Sequence, residues 1–101
     1  MDITDKAVDY IQDQAKVNKL EEPILVVFQQ VYRGWCGTEV VTNVAPASKE
    51  QIKDDSAFSI KSIENLKYPV YLDKRVSGLW DRSKIDLAGW SSFKRLVLLE
   101  L

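Results

Sequence analysis

The run Ile24-Leu25-Val26-Val27-Phe28-Gln29-Gln30-Val31-Tyr32, the segment Arg33-Gly34-Trp35-Cys36-Gly37 and the run Thr38-Glu39-Val40-Val41-Thr42-Asn43-Val44 decide the fold. Residues 24–28 are continuously apolar and rich in β-branched side chains, which suits a strand covered on both faces rather than an edge. After the glycine-bracketed loop, Val40, Thr42 and Val44 alternate with Glu39, Val41 and Asn43, a weaker, half-buried pattern. The two runs predict a β-hairpin whose loop is longer than the two-residue minimum, with Pro46 stopping the second strand.

Upstream, Thr4 is a good N-cap for a first helix, with Asp5 favourable against its dipole and Ile3 placed to staple onto Val8. Ala7, Val8, Ile11 and Ala15 recur at helical spacing to about Asn18, opposite Asp9, Gln12, Asp13 and Lys16. That narrow apolar stripe is read as packing. Residues 19–23 form a polar connector ending in Pro23, which cannot continue a helix.

Downstream, Ser48-Lys49-Glu50-Gln51 has capping-box spacing for one helical turn, broken by Asp54-Asp55-Ser56. Residues 58–63 alternate at first, with Phe58 and Ile60 inward and Ser59 and Lys61 outward. Residues 68–72 read as another strand, in which Pro69 removes a ladder donor and points to an edge or a strand start. Asp73 caps a short helix with Val76, Leu79 and Trp80 inside, Lys74 and Arg75 outside and Gly78 as its weak point. Residues 85–88 and 93–101 finish the chain as strands around the turn Gly89-Trp90-Ser91-Ser92. The expected architecture is α+β: a single domain over residues 1–101, with the N-terminal helix packed on a mixed or antiparallel sheet of about six strands.

Composition narrows the function. At 101 residues and 46% hydrophobic, the chain can bury one core without a metal or disulfide staple. Fourteen basic and 15 acidic residues, interspersed, give a net charge of −1, so no global field draws in a polyanion and nucleic acid is not the expected partner. A single cysteine forms no internal disulfide, Met1 opens no charged-then-apolar signal segment, and no apolar run approaches ~18 residues. The expectation is a soluble, cytoplasmic protein without membrane association. Histidine is absent, which removes Ser-His-Asp and Cys-His catalysis, imidazole metal sites and a histidine pH switch. An enzyme here would depend on carboxylates, lysines, tyrosines or one thiol, and a noncatalytic role is expected.

The order helix, strand, Gly34-Trp35-Cys36-Gly37 loop, strand, Tyr68-Pro69-Val70-Tyr71-Leu72-Asp73, short helix ending Gly78-Leu79, then Ile85-Asp86 resembles the HesB-like family, to which the A-type iron-sulfur carriers belong. The likeness spans most of the chain. The loop is similar to the glycine-rich first-cysteine loop of those carriers, and Val70-Tyr71-Leu72-Asp73 through Ile85-Asp86 to their strand-helix-strand segment. The resemblance implies a HesB-like fold and marks Cys36 as the one position that carries over as a metal ligand. The carriers also have a Cys-Gly-Cys in the C-terminal tail, where this chain reads Val97-Leu98-Leu99-Glu100-Leu101. A cluster usually takes four thiolates and a homodimer of this chain offers two, so no stable cofactor is expected. An iron-sulfur cluster or metal would need ligands shared between subunits or supplied by exogenous thiols.

The candidate site is therefore Arg33, Gly34, Trp35, Cys36 and Gly37, expected to bind a protein partner or small ligand. A free cysteine commonly packs as a small apolar group, and that incidental role is the favoured reading of Cys36. The functional reading draws on Arg33 and two flanking glycines, which would expose the sulfur and favour thiolate, as in a redox sensor or a transient metal site. An aromatic such as Trp35 more often folds back onto the core than anchors a ligand. A second candidate gathers Lys74, Arg75, Arg82 and Lys84 with Trp80 and Trp90 as a nucleic-acid patch. Asp73, Asp81 and Asp86 interrupt it, which favours a solvated mixed-charge surface with core tryptophans. Asp54-Asp55 lacks calcium-loop spacing and reads as a solvated turn. Gly34-x-x-Gly37 precedes a strand and is too short for a phosphate-binding loop.

Overall fold

In the computed structural model residues 1–100 are described, and Leu101, read above as part of the last strand, lies outside them. Helix α1 (Asp5–Val17) starts where its chemistry predicts, with Thr4 Oγ1 accepting the Ala7 N–H at 3.3 Å and the Thr4 carbonyl accepting the Val8 N–H at 3.0 Å. Its stripe Ala7, Val8, Ile11 and Ala15 is buried as expected. Two strands follow as a long antiparallel pair, β2 (Pro23–Gly34) and β3 (Gly37–Ser48), and then β4 (Phe58–Lys61) and β5 (Val70–Asp73). These four form one sheet in the order β3-β2-β5-β4, with β2 and β5 parallel. A two-residue strand β1 (Asp2–Ile3) joins β6 (Ser83–Ala88) and β7 (Arg95–Glu100) in a second sheet, in the order β1-β6-β7.

The two faces of β2 explain its unbroken apolar run. Leu25 and Val27 point into the main core with Val70 and Leu72 from β5, Ala7, Val8 and Ile11 from α1, and Ile85 from β6. Ile24 and Val26 point the other way, against Tyr71, with Phe28, Ala47, Ile52 and Phe58 around them. All four positions from Ile24 to Val27 are exposed by 7% or less, as a strand covered on both faces requires. Each such aliphatic side chain contributes roughly 1.5–3 kcal/mol on burial.

Several expectations are corrected. The strands form two sheets rather than one of about six strands, because β3 and β7 approach each other without pairing. The hairpin loop is only two residues, Trp35 and Cys36, since the ladder runs up to the pair Gly34 and Gly37. Pro46 does not stop β3, which continues to Ser48. Leu25, opposite Pro46, donates its N–H away from β3, to the Pro69 carbonyl at 3.0 Å, so this pair is one at which the β2–β3 ladder needs no donor from Pro46. Pro69 itself lies just before the start of β5, which is a central strand. Ile60 is 62% exposed: it faces the side of Tyr71, where the small second cluster reaches Phe58 and stops. The segment after Asp73 is a 3-10 helix, Lys74–Arg82, kinked at Val76, although Val76, Leu79 and Trp80 do pack on the core. Phe93 belongs to a 3-10 turn (Ser91–Phe93) and is exposed, so β7 starts later than expected. The capping box at Ser48 holds, with Gln51 Oε1 accepting the Ser48 N–H at 2.8 Å. Among the described residues no helix is long and apolar enough to cross a membrane.

Candidate functional site

The predicted site residues lie at the end of a two-stranded arm. The register of β2 and β3 runs unbroken from Pro23 opposite Ser48 to Gly34 opposite Gly37, but β5 accompanies β2 only from Leu25 to Val27. Beyond that point the ribbon leaves the body, and residues 30–40 are all exposed. Gly37, at φ 139°, adopts a backbone conformation that L side chains avoid, which is why the two-residue turn needs a glycine on its far side. Gln30 stiffens one face of the arm: its Oε1 accepts the Tyr32 hydroxyl at 2.9 Å and the Asn43 amide at 2.6 Å.

Trp35 is 98% exposed at the tip, so it does not fold back onto the core as expected. Cys36 beside it is also exposed, against the reading of a packed thiol. Val31, Tyr32 and Val40 add exposed apolar surface along the arm. An open depression of about 370 Å³ is lined by Tyr32, Arg33, Gly34, Cys36, Gly37, Thr38 and Glu39, so the structure brings the thiol, one cation and one carboxylate to the same place. The arrangement offers contact area and hydrogen bonds rather than a buried acid–base pair. As a metal site its donor set falls short: Cys36 is the only thiol of the chain, and among the described residues no group of three or more Cys, Asp or Glu side chains is placed to hold an ion. One thiolate does not fit an iron-sulfur cluster, and no chemistry is derived through one.

Within the basic segment one ion pair forms, between Arg75 and Asp73. Arg75 donates through Nε and Nη2 to both carboxylate oxygens of Asp73, the shortest contact being 2.7 Å. Lys74 lies near Asp54, and Lys84 near Asp86. Trp80 is half-buried with Lys61 Nζ 6.0 Å from its ring, whereas Trp90 is 75% exposed in another loop, edge-on to Phe93. Trp90 is thus not a core tryptophan. Asp54 and Asp55 sit on the exposed turn the sequence implied, with the Ser56 hydroxyl and N–H holding the Asp54 carboxyl below its usual range.

Two features escaped the sequence. Asp73 is a buried junction as well as a cap: it accepts the Arg75 N–H at 2.9 Å and, from the neighbouring strand, the Gln29 N–H at 3.3 Å. The Arg75 guanidinium, then the two N–H groups, hold its carboxyl below the usual range, against the opposing effect of burial. A cleft of about 430 Å³ separates α1 from the loop between β6 and β7, walled by Lys6, Asp9, Tyr10 and Asp13 on one side and Trp90, Ser91 and Lys94 on the other. Its only sequence signal is the polar stripe of α1, which reads equally as solvated surface.

No family model matches the chain, and a search of curated proteins finds no match. The HesB-like likeness accordingly rests on the residues that carry it.

Proposed function

We propose that this chain is a noncatalytic binding module, HesB-like in plan and cytoplasmic, that presents Arg33, Gly34, Trp35, Cys36 and Gly37 to a protein partner or small ligand. One observation carries the reading: a tryptophan stands 98% exposed at the tip of an arm whose length the core does not require. Exposed aromatic anchors on a rigid ribbon are a common energetic centre of an interface, while nothing about folding favours leaving an indole in water. The mixed charges of Arg33 and Glu39 suit a partner of no strong net charge better than nucleic acid. A second reading, a Cys36-dependent redox sensor or transient metal site shared between subunits, is favoured by the exposure of the thiol.

The test attaches a photo-crosslinker to Cys36 and illuminates the protein in native extract. A partner captured by the labelled protein and lost on Trp35→Ala and Tyr32→Ala, in variants of unchanged stability, supports the reading. Capture indifferent to both substitutions overturns it.

A further inference from the structure

The arm has an edge as well as a tip. Along β2 the pair Gly34 and Gly37 closes a two-residue turn, so even-numbered residues bond to β3 and odd-numbered ones direct their N–H and carbonyl groups outward. The hydrogen bonds confirm this parity: the Leu25 N–H goes to the Pro69 carbonyl, and the Gln29 N–H, two residues on, goes to Asp73 Oδ2. Past Gln29 the outward groups of Val31 and Arg33 have no partner among the described residues. The other edges are less suited. β3 carries Pro46, lies beside β7 at residues 41–44 and bears the acidic Glu39 toward the tip, β4 is four residues long and ends in Lys61, and β1 is two residues long. From Gln30 to Gly34 there is no proline and no lysine, and Arg33 is the single charge.

We infer that the outer edge of β2 from Gln30 to Gly34 pairs antiparallel with the same edge of a second copy of this chain, about a two-fold axis through Tyr32. This rests on the reading of the arm as an interaction surface and names its occupant. Identical edges are complementary here because, with Val31 opposite Arg33 and Arg33 opposite Val31, each strand's outward donors meet the other's outward carbonyls. Neighbouring registers fail. An axis through Val31 would use the Gln29 N–H, already held by Asp73, and an axis through Arg33 would pair Val31 with Trp35, which lies in the turn. In the chosen register Tyr32 meets Tyr32, and Trp35 falls beside Gln29 of the second copy, next to the Asp73–Arg75 pair whose arginine side chain is 63% exposed. An indole there gains a cation to stack on. The interface is a short strand pair with side-chain contacts, at the small end of specific interfaces, so the dimer is reversible and concentration-dependent.

The test is sedimentation equilibrium of the full chain under reducing conditions, with two kinds of variant. Val31→Pro removes an outward N–H without touching the β2–β3 ladder or the tip, and it is expected to weaken the dimer about tenfold or more while the unfolding midpoint stays close to wild type. Tyr32→Cys in a Cys36→Ser background places two cysteines directly opposite each other across the axis and is expected to form an intermolecular disulfide readily on mild oxidation. Val31→Cys in the same background, opposite Arg33 and not itself, is expected not to. A wild type that stays monomeric at the highest attainable concentration overturns the inference, as does a dimer indifferent to Val31→Pro, or equal crosslinking at positions 31 and 32. If Tyr32→Cys fails to crosslink although the protein dimerises, the two copies meet through another surface and the inference falls. The binding-module reading is judged separately in the Val31→Pro background, whose tip is unchanged, by whether Cys36 still captures a different protein and loses it on Trp35→Ala.

Discussion

The Gln29 N–H donates to Asp73 Oδ2 at 3.3 Å, where the parallel ladder of β2 and β5 would place its next main-chain rung. A side chain thus ends the sheet on that side and marks where the arm begins. The same carboxylate caps the following 3-10 helix through the Arg75 N–H, so one buried group fixes a strand end, a helix start and the root of the candidate site.

Replacing Asp73 separates these roles from the ion pair. Asp73→Ala leaves two N–H groups without their acceptor and is expected to cost about 2–3 kcal/mol, read as a shift in urea midpoint. Asp73→Asn keeps an acceptor and costs about half as much. Arg75→Ala has the smallest effect of the three, because its side chain is largely exposed, where pairing is screened.

Acid stability follows from the same group and from Asp86. The Asp86 carboxylate accepts the Leu87 N–H at 2.8 Å and the Thr4 hydroxyl at 2.9 Å, and these bonds hold its pKa down as Arg75 does that of Asp73. Both folded-state values lie below the ordinary 3.8, so both carboxylates stabilise the fold above that pH. The contribution drains away as pH falls from 3.8 through the lowered values. Urea midpoints are expected to be flat near neutrality and to fall steeply below about pH 4, with a shallower fall in Asp73→Asn.

Two glycines give opposite expectations. Gly89 sits at φ 87°, and a Cβ there would lie 2.2 Å from the Phe93 carbonyl oxygen, so Gly89→Ala is expected to destabilise by about 2–3 kcal/mol. Gly78 has open space around its would-be Cβ and no left-handed backbone, so Gly78→Ala is expected to raise stability by about 0.4–1 kcal/mol. Thermal unfolding of the two variants side by side decides both.

For Cys36, alkylation of the native protein is expected to proceed at a rate comparable to that in denaturant, given its exposure. Anaerobic reconstitution with iron and sulfide is expected to leave no persistent visible absorption band. One cluster per dimer, lost on Cys36→Ser, would show instead that ligands are shared or recruited from outside.

Much of the fold is legible because local chemistry and tertiary need agree. Residues 24–28, the stripe of α1, the Thr4 cap and the Asp73 cap are all found where the sequence places them. β1 was illegible because two residues carry no periodicity, and it exists only through pairing with Ile85 and its neighbour, far along the chain. The exposure of Ile60 depends on how far the second cluster spreads, which alternation cannot report. At the site, sequence placed Cys36 and its glycines at the hairpin end. It missed the length of the arm, because Gln29, Gln30, Thr42 and Asn43 look alike in a sheet and in a projecting ribbon. It also placed Trp35 and Trp90 inside, since hydrophobicity alone does not say which aromatic is left in water.

The pairing of Asp2 with Lys84 and Ile3 with Ile85 has a kinetic meaning. The β2–β3 hairpin closes through a two-residue turn and can form early, whereas β1 has to find β6 across nearly the whole chain, a contact whose loop-closure entropy is met only late. Formation of this clasp is expected to be among the last steps of folding. Ile3→Ala should therefore speed unfolding with little change in the folding rate, while Val27→Ala, in a central strand of the larger sheet, should slow folding. A stopped-flow comparison of the two variants would show whether the amino terminus is the latch by which this fold opens.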